Sequence, residues 1–299
     1  ITACDSVTWN GTTYTQSGTY SHTGTTSNNN YSMSFDGVDD YVNCGTNIDI
    51  ANKSFTLGTW VKYDGADPLT GDAVLMSTGN GLANQSLYFG FADNPGQPDY
   101  LFTNFWGSAS EMYSNNPLSI RGDGLWHHIA LTYDYTNGSR NLYLDGLVVG
   151  SDVTTSLFQT TGTDFALGIT SWNYVDDFEG LIDNSFVFDI ALTQQEIQNY
   201  MNCPPTGNEA GLVGYWNFEE GSGSTAIDLT SNGNDGTING ATYSTNVPNQ
   251  TCSANQLTTV NGCDSIAILN LTINQADTSF TNITACDSVT WNGTTYTQS

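Results

Sequence analysis

Positive charge is nearly absent from this chain: four Lys and Arg residues stand against 30 Asp and Glu, a formal charge of −26 over 299 residues. A surface that acidic repels nucleic acid and anionic membranes. It attracts divalent cations, and Asp and Asn supply the hard oxygens that Ca²⁺ takes as ligands. The plainer use of the charge is solubility in salty water, where screening lets like charges coexist. The chain also lacks an apolar run long enough to span a bilayer, so membrane insertion is not expected. Its six cysteines form no CxxC pair and no Cys/His cluster, which argues against zinc. Disulfides in an oxidising compartment fit better, and place the protein outside the cytoplasm. Lys and Glu, the usual fillers of exposed helices, give way to Thr, Ser, Asn and Gly, a β-rich extracellular composition.

What the chain does have is a repeat. Residues 283–299 copy residues 1–17, ITACDSVTWNGTTYTQS, letter for letter at an offset of 283 − 1 = 282 residues. So long a period suits a string of whole domains rather than one solenoid turn. The expectation is one period of a long tandem protein, with neighbouring repeats as its first partners and residues 283–299 opening the next link. Within the copied segment, Asn10-Gly11 separates Val7-Thr8-Trp9 from Thr12-Thr13-Tyr14-Thr15, the strongest short hairpin signal. Residues 1–28 contain too few apolar side chains to fold alone.

Residues 258–273, TTVNGCDSIAILNLTI, carry a second Cys-Asp-Ser and a strand with Ala267, Leu269, Leu271 and Ile273 on one face. Together with the opening segment they resemble a short β-module of Bacteroidetes surface proteins, CDS…WNGTTY…SGTY…GCDSIA.LNLTI. Here the two halves, 1–28 and 251–282, are separated by residues 29–250, which reads as a domain inserted into a loop of the module. The resemblance implies a disulfide from Cys4 to Cys263, with Cys263–Cys286 as the rival. It also implies a secreted, outer-membrane-attached protein exported by a gliding bacterium. Asp-Ser-apolar triplets match the O-glycosylation pattern of such organisms, giving Ser6, Ser265 and Ser288 as candidate sites; the plainer reading is that Asp-Ser tightens a strand start.

The insertion shows FDGVDDYV from residue 35, SFTLGTWVK from 54, GLWHHIALTYD from 124, LYLDGLVV from 142 and GLIDNSFVFDIALTQQEI from 180. These five ordered motifs resemble the laminin G-like, concanavalin A-like and pentraxin superfamily. The expected fold is an all-β jelly-roll sandwich with one short helix, Gln194–Asn202, begun by a capping box at Thr193 and Glu196. The further familiar stretch at 211–241 precedes the FDGVDDYV strand in many relatives. Here it follows the helix, and is expected to fold back as an edge of the same sandwich. Cys203 and Cys252 flank it and are paired on that ground, leaving Cys44 buried and free.

The glucanases of this superfamily carry Glu-x-Asp-x-Glu along one strand, because acid and nucleophile must flank one glycosidic bond. No such pattern is found, so no catalytic residues are assigned. His127-His128 looks like a catalytic or metal pair, but adjacent strand residues face opposite ways. Calcium is the better candidate, since family members often hold Ca²⁺ at one rim of the sandwich. By order, the matching loops are 64–72 and 171–177, offering Asp67, Asp72, Asn173, Asp176 and Asp177. Asp36, Asp39 and Asp40, and the loop from Asp228 to Gly236, are the other candidates. Against all of these stands the turn-forming habit of Asp and Asn. For sugar binding, which needs aromatic platforms beside polar groups, Trp172 and Tyr174 flank Asn173, while Trp106 and Tyr113 lie in a loop-rich stretch; the alternative is that these rings fill the core. Arg121-Gly122-Asp123 is read as the family's own turn rather than an adhesion tripeptide. The function expected is a structural and adhesive repeat of a giant surface protein or filament that binds polysaccharide or cell-surface glycans. The alternative is a Ca²⁺-dependent lectin module.

Overall fold

The computed structural model describes residues 29–64, 72–94, 97–105, 110–159, 162–173, 176–250 and 288–297, and the backbone of short strands within 2–22 and 267–274. The chain divides into two compact units, residues 26–252 and residues 1–25 with 253–299.

The larger unit is a sandwich of two antiparallel sheets. One sheet runs, edge to edge, through Met112–Tyr113, Gln97–Phe105, Ser86–Asn94, Ala73–Gly79, Phe165–Leu167, Tyr41–Asn43, Gly236–Asn239 and Thr225–Ala226. The other runs through Leu147–Val153, Ser139–Leu144, His127–Asp134, Phe55–Tyr63, Glu179–Phe188, Ser32–Asp36 and Thr242–Ser244. Alternation along the strands builds the core between them. Leu57, Val61, Phe89, Phe91, Leu101, Phe105, Ile129, Leu131 and Ile182 are fully buried, and burial of each such side chain contributes about 1.5–3 kcal/mol. Within a sheet, a large ring can lie over its cross-strand partner so closely that only glycine fits there. A Cβ on Gly58 would lie 2.2 Å from Phe186 Cζ.

The turns follow from local sequence. Asp145 and Gly146 take φ of 49° and 73° between Ser139–Leu144 and Leu147–Val153, the two positive values that a two-residue hairpin turn requires. Thr193 caps the helix Gln194–Asn202: its side chain accepts from the Glu196 amide, and the Glu196 carboxylate accepts from the Thr193 amide at 2.7 Å. One of the four basic residues is spent inside. Arg140 is 1% exposed, forks onto Asp152 at 2.9 and 2.6 Å, and donates to the Ser110 carbonyl at 2.7 Å.

Two segments pair in ways that local sequence does not specify. The strands either side of Asp36-Gly37 do not form a hairpin: Ser32–Asp36 and Tyr41–Asn43 lie in different sheets, so this turn is an arch across the sandwich. Residues 211–241 supply more than an edge. Leu212–Trp216 pairs with the second half of Glu179–Phe188, while Gly236–Asn239 pairs with Tyr41–Asn43 in the opposite sheet. Trp216, fully buried, is among the largest side chains of the core. Its apolar surface forces this segment into the sandwich rather than alongside it.

In the smaller unit, Ala267–Asn274 pairs antiparallel with Gly18–His22 and parallel with Thr2–Cys4. Val7–Trp9 and Thr12–Tyr14 form a hairpin, and the copied Val289–Trp291 and Thr294–Tyr296 form the same one in the same register. The copy shows why the turn forms: Asn292 and Gly293 take φ of 48° and 79°. Cys203 is disulfide-bonded. Its expected partner Cys252, and Cys263, Cys286 and the Cys4 side chain, lie outside the described residues, so neither pairing is addressed. Cys44 is free and buried, and burial pushes its thiol well above the ordinary range. Ser288 is exposed, whereas Ser6 and Ser265 lie outside the described residues. No helix among the described residues is long and apolar enough to cross a membrane.

Candidate functional site

The arch after Ser32–Asp36 gathers carboxylates. Asp36 Oδ1 accepts from the Val38 amide at 2.9 Å, closing a small turn, and Asp40 Oδ2 reaches back to the Asp36 amide at 2.9 Å. Gly240 lets this happen, since a Cβ there would fall 2.0 Å from Asp40 Oδ1. The result is that Asp36, Asp39 and Asp40 each place an oxygen within 4.8 Å of the others. Charges at that separation repel by about 1 kcal/mol per pair even in the dielectric of water, and by more where water is excluded. Asp40 is largely buried, and burial raises its carboxyl above the ordinary value despite the Asp36 hydrogen bond.

Asp177 lies near this group, outside the 4.8 Å cluster. Burial, and then the charges of Asp176, Asp39 and Asp36, push its carboxyl up to about 6. Its Oδ1 is buried and accepts no hydrogen bond. A buried carboxylate oxygen without a partner, beside three crowded carboxylates, is a donor set that suits a hard divalent cation. Asp176 is held next door at a positive φ of 62°, with its carbonyl accepting from the Val74 amide at 3.0 Å and its Oδ2 from Thr170 at 3.1 Å. The candidates from the 171–177 loop and from the 36–40 arch, read separately in the sequence, therefore meet at one end of the sandwich. Asn173 is exposed, and Asp67 and Tyr174 lie outside the described residues.

The outer face of the first sheet carries an aromatic surface that the sequence reading found only in part. Along Ser86–Asn94 and Gln97–Phe105, the odd positions Leu87, Phe89, Phe91, Leu101 and Phe105 enter the core. The even positions face the other way, and Val74, Tyr88, Ala92 and Phe102 form a second cluster with Tyr100, Tyr113 and Trp172 half-buried against it. Trp172 meets Tyr88 edge-on with centroids 4.5 Å apart, and Tyr113 lies nearly parallel to Phe102 at 6.2 Å. Burial, and then Asp176 and Asp72, raise the Tyr88 hydroxyl. Burial, the Glu111 hydrogen bond and Asp72 together push Tyr113 up to about 12. Asp72 thus belongs with this surface rather than with the Asp36 cluster. Trp172 and Tyr113 were legible as candidates; Tyr88, Tyr100 and Phe102 were missed because alternation in an apolar strand does not say which face is core. Trp106 lies outside the described residues.

The remaining sequence candidates are occupied otherwise. His127 hydrogen-bonds Asp145 at 2.9 Å and Asp123 at 3.0 Å, and the Asp145 bond first, then Asp123, raises its imidazole. His128, on the opposite face, is fully buried between Trp60 and Phe186, and burial pushes it down to about 4. Arg121 turns inward, donating to the Tyr63 hydroxyl at 2.7 Å with its guanidinium 4.9 Å from that ring, so the Arg-Gly-Asp tripeptide is not presented as a loop tip. Asp228 accepts from the amides of Tyr215, Thr230 and Asn234, and is committed to shaping its own loop.

Two sheets with these turns, this arch and this helix define a lectin-type sandwich, and residues 36–198 match the profile of the family Laminin_G_3, described as the concanavalin A-like lectin/glucanases superfamily. The chain belongs to that superfamily. A curated relative, the sushi, von Willebrand factor type A, EGF and pentraxin domain-containing protein 1 of Rattus norvegicus, is 26% identical over 147 residues, covering 44% of this chain and 4% of the relative. The chain therefore spans a small fraction of that relative's length. Among solved structures, a candidate carbohydrate binding protein from Bacteroides ovatus superposes with a TM-score of 0.55 at 21% identity, over 72% of this chain and 60% of that one. A heptameric SAP-like pentraxin from Limulus polyphemus gives a TM-score of 0.50 at 13% identity, over 73% and 95%. At those identities the likeness is one of fold. This superfamily member thus bears a carboxylate rim and an aromatic sheet face.

Proposed function

We propose that this chain is an adhesive repeat of an extracellular surface protein whose sandwich binds polysaccharide on its aromatic face, with a structural Ca²⁺ held by Asp36, Asp39, Asp40 and Asp177. The observation that carries this reading is that one sandwich holds both a cluster of crowded acids at a rim and a face of half-buried rings on one sheet. Sugars present apolar faces that stack on rings and hydroxyls that donate to carboxylates. The bound cation supplies positive charge that relieves the repulsion among the four carboxylates and stiffens the arch. The superfamily and the similar Bacteroides ovatus protein support binding rather than turnover. The exact copy at 283–299 supports a repeat, because the duplicated hairpin gives each link the same joint. Weak single sites on such an array gain strength through multivalency. The test is binding to an immobilised glycan panel before and after chelation. Retention by at least one neutral or charged polysaccharide supports the reading, and absence of binding to the whole panel removes it.

A further inference from the structure

The aromatic face invites a sharper statement, which rests on the proposed sugar binding. Its half-buried rings are Tyr100, Tyr113 and Trp172. Carboxylates stand beside them. Glu111 Oε2 accepts from the Tyr113 hydroxyl at 3.0 Å and is exposed. Asp72 immediately precedes the strand Ala73–Gly79, and Asp176 is tied to that strand through the Val74 amide at 3.0 Å. The basic side chains each have a carboxylate neighbour that offsets their charge. Lys53 pairs with Asp49, Arg121 with Asp99 and Arg140 with Asp152, while Lys62 neighbours Asp123. Rings present a negative π-face, and carboxylates at the rim of that face add to it. A uronic-acid or sulfated polymer meets repulsion here, while a protonated amine gains twice, from the rings and from the acids.

We propose that the face formed by Tyr100, Tyr113 and Trp172, edged by Glu111 and Asp72, selects cationic amino sugars: polymers of glucosamine with free amino groups. The ring stack takes the sugar's apolar face, and the ammonium sits over Tyr113 within reach of Glu111. The Asp36 cluster is not part of this contact, so binding here survives chelation of Ca²⁺.

The test uses the full chain and two tetrasaccharides of equal length, the free-amine glucosamine oligomer and its N-acetylated form, with a uronate oligomer as third probe. Binding is measured calorimetrically at a pH where the amines are protonated, with chelator present and at two salt concentrations. The free-amine oligomer is expected to bind at least about tenfold tighter than the acetylated one, the uronate not at all. Tyr113→Ala is expected to cost about five- to thirtyfold, the value of one partly desolvated cation–ring contact. Glu111→Gln, an exposed change that leaves the fold alone, is expected to weaken the free-amine oligomer several-fold and to lower its salt dependence. Because the whole chain is acidic, a control off the aromatic face is required: Asp49→Asn, in the loop between Tyr41–Asn43 and Phe55–Tyr63, should leave binding unchanged. Equal losses from Asp49→Asn and Glu111→Gln would mean non-specific attraction and would overturn the proposal. So would equal affinity for the acetylated and free-amine oligomers, an outcome that leaves polysaccharide binding itself standing.

Discussion

Asp183 gives the most quantitative prediction. It is fully buried at the centre of the strand Glu179–Phe188, and its Oδ2 accepts from Asn29 Nδ2 at 2.7 Å. Asn29 lies where the chain enters the sandwich and Gln250 where it leaves. The Gln250 side-chain carbonyl accepts from Asn184 Nδ2 at 2.9 Å and from Asn29 at 3.4 Å. Entry and exit are thus fastened together on a buried acid. Burial holds that carboxyl well above the ordinary range, outweighing the Asn29 bond. The folded state keeps a proton that the unfolded state releases near pH 4. A raised acid of this kind stabilises the fold fully below the unfolded value and costs stability as pH rises from there toward the folded value. One proton's difference gives a slope of about 1.4 kcal/mol per pH unit through that window. Asp183→Asn removes the proton while keeping the shape and an acceptor for Asn29. The melting temperature of the variant, relative to the native chain, should therefore climb by ~3–5 °C per pH unit within that window, at about 2–4 °C per kcal/mol for a domain of this size. The other raised carboxyls, those of Asp40, Asp176 and Asp177, titrate in both proteins and cancel in the difference. Calorimetric melting between pH 4 and pH 8 makes the comparison; parallel curves for the two proteins would refute the neutral buried acid.

Three further outcomes follow from named contacts. Calcium at a hundredfold excess over its dissociation constant should stabilise the chain by about 2.7 kcal/mol, raising the melting temperature by ~5–11 °C, and Asp39→Asn should abolish most of that rise; an unchanged melting curve with Ca²⁺ removes the metal. The two adjacent histidines should titrate on opposite sides of the ordinary value in an NMR pH series, His127 above it and His128 near 4. The stability that His127 adds below its unfolded value is lost as pH rises through its folded value, whereas His128 costs stability as pH falls below about 6.5. Gly58→Ala should destabilise by about 1–3 kcal/mol in chemical denaturation, because its methyl group meets the Phe186 ring.

The sandwich was legible because its signals are local and agree with one another. Asp145-Gly146 names its hairpin, Thr193 and Glu196 name the helix start, and alternation in Phe55–Tyr63 and His127–Asp134 names two central strands. What the sequence hides is which sheet each strand joins. Asp36-Gly37 marks a turn, yet the strands it links have partners more than a hundred residues away in Glu179–Phe188 and Phe165–Leu167. Registers that distant are settled by core packing, which no window of a few residues contains. The same holds for the site. Carboxylates crowd the sequence everywhere, so only the arch and the Gly240 approach show that Asp36, Asp39 and Asp40 converge. Tyr88, Tyr100 and Phe102 lie in runs so apolar that one face could not be told from the other before the sheets were stacked.

The central claim is that this superfamily member recognises polysaccharide on the sandwich face formed by Tyr88, Tyr113 and Trp172, with Asp36, Asp39, Asp40 and Asp177 as a separate carboxylate rim. Its most direct measurement is the glycan panel read with the native chain and with Tyr113→Ala, each with Ca²⁺ and with chelator. Retention of at least one polysaccharide by the native chain, lost or sharply weakened in Tyr113→Ala, is the predicted result. Binding that Tyr113→Ala leaves untouched would place recognition elsewhere on the molecule, and a panel with no retained glycan would contradict the account.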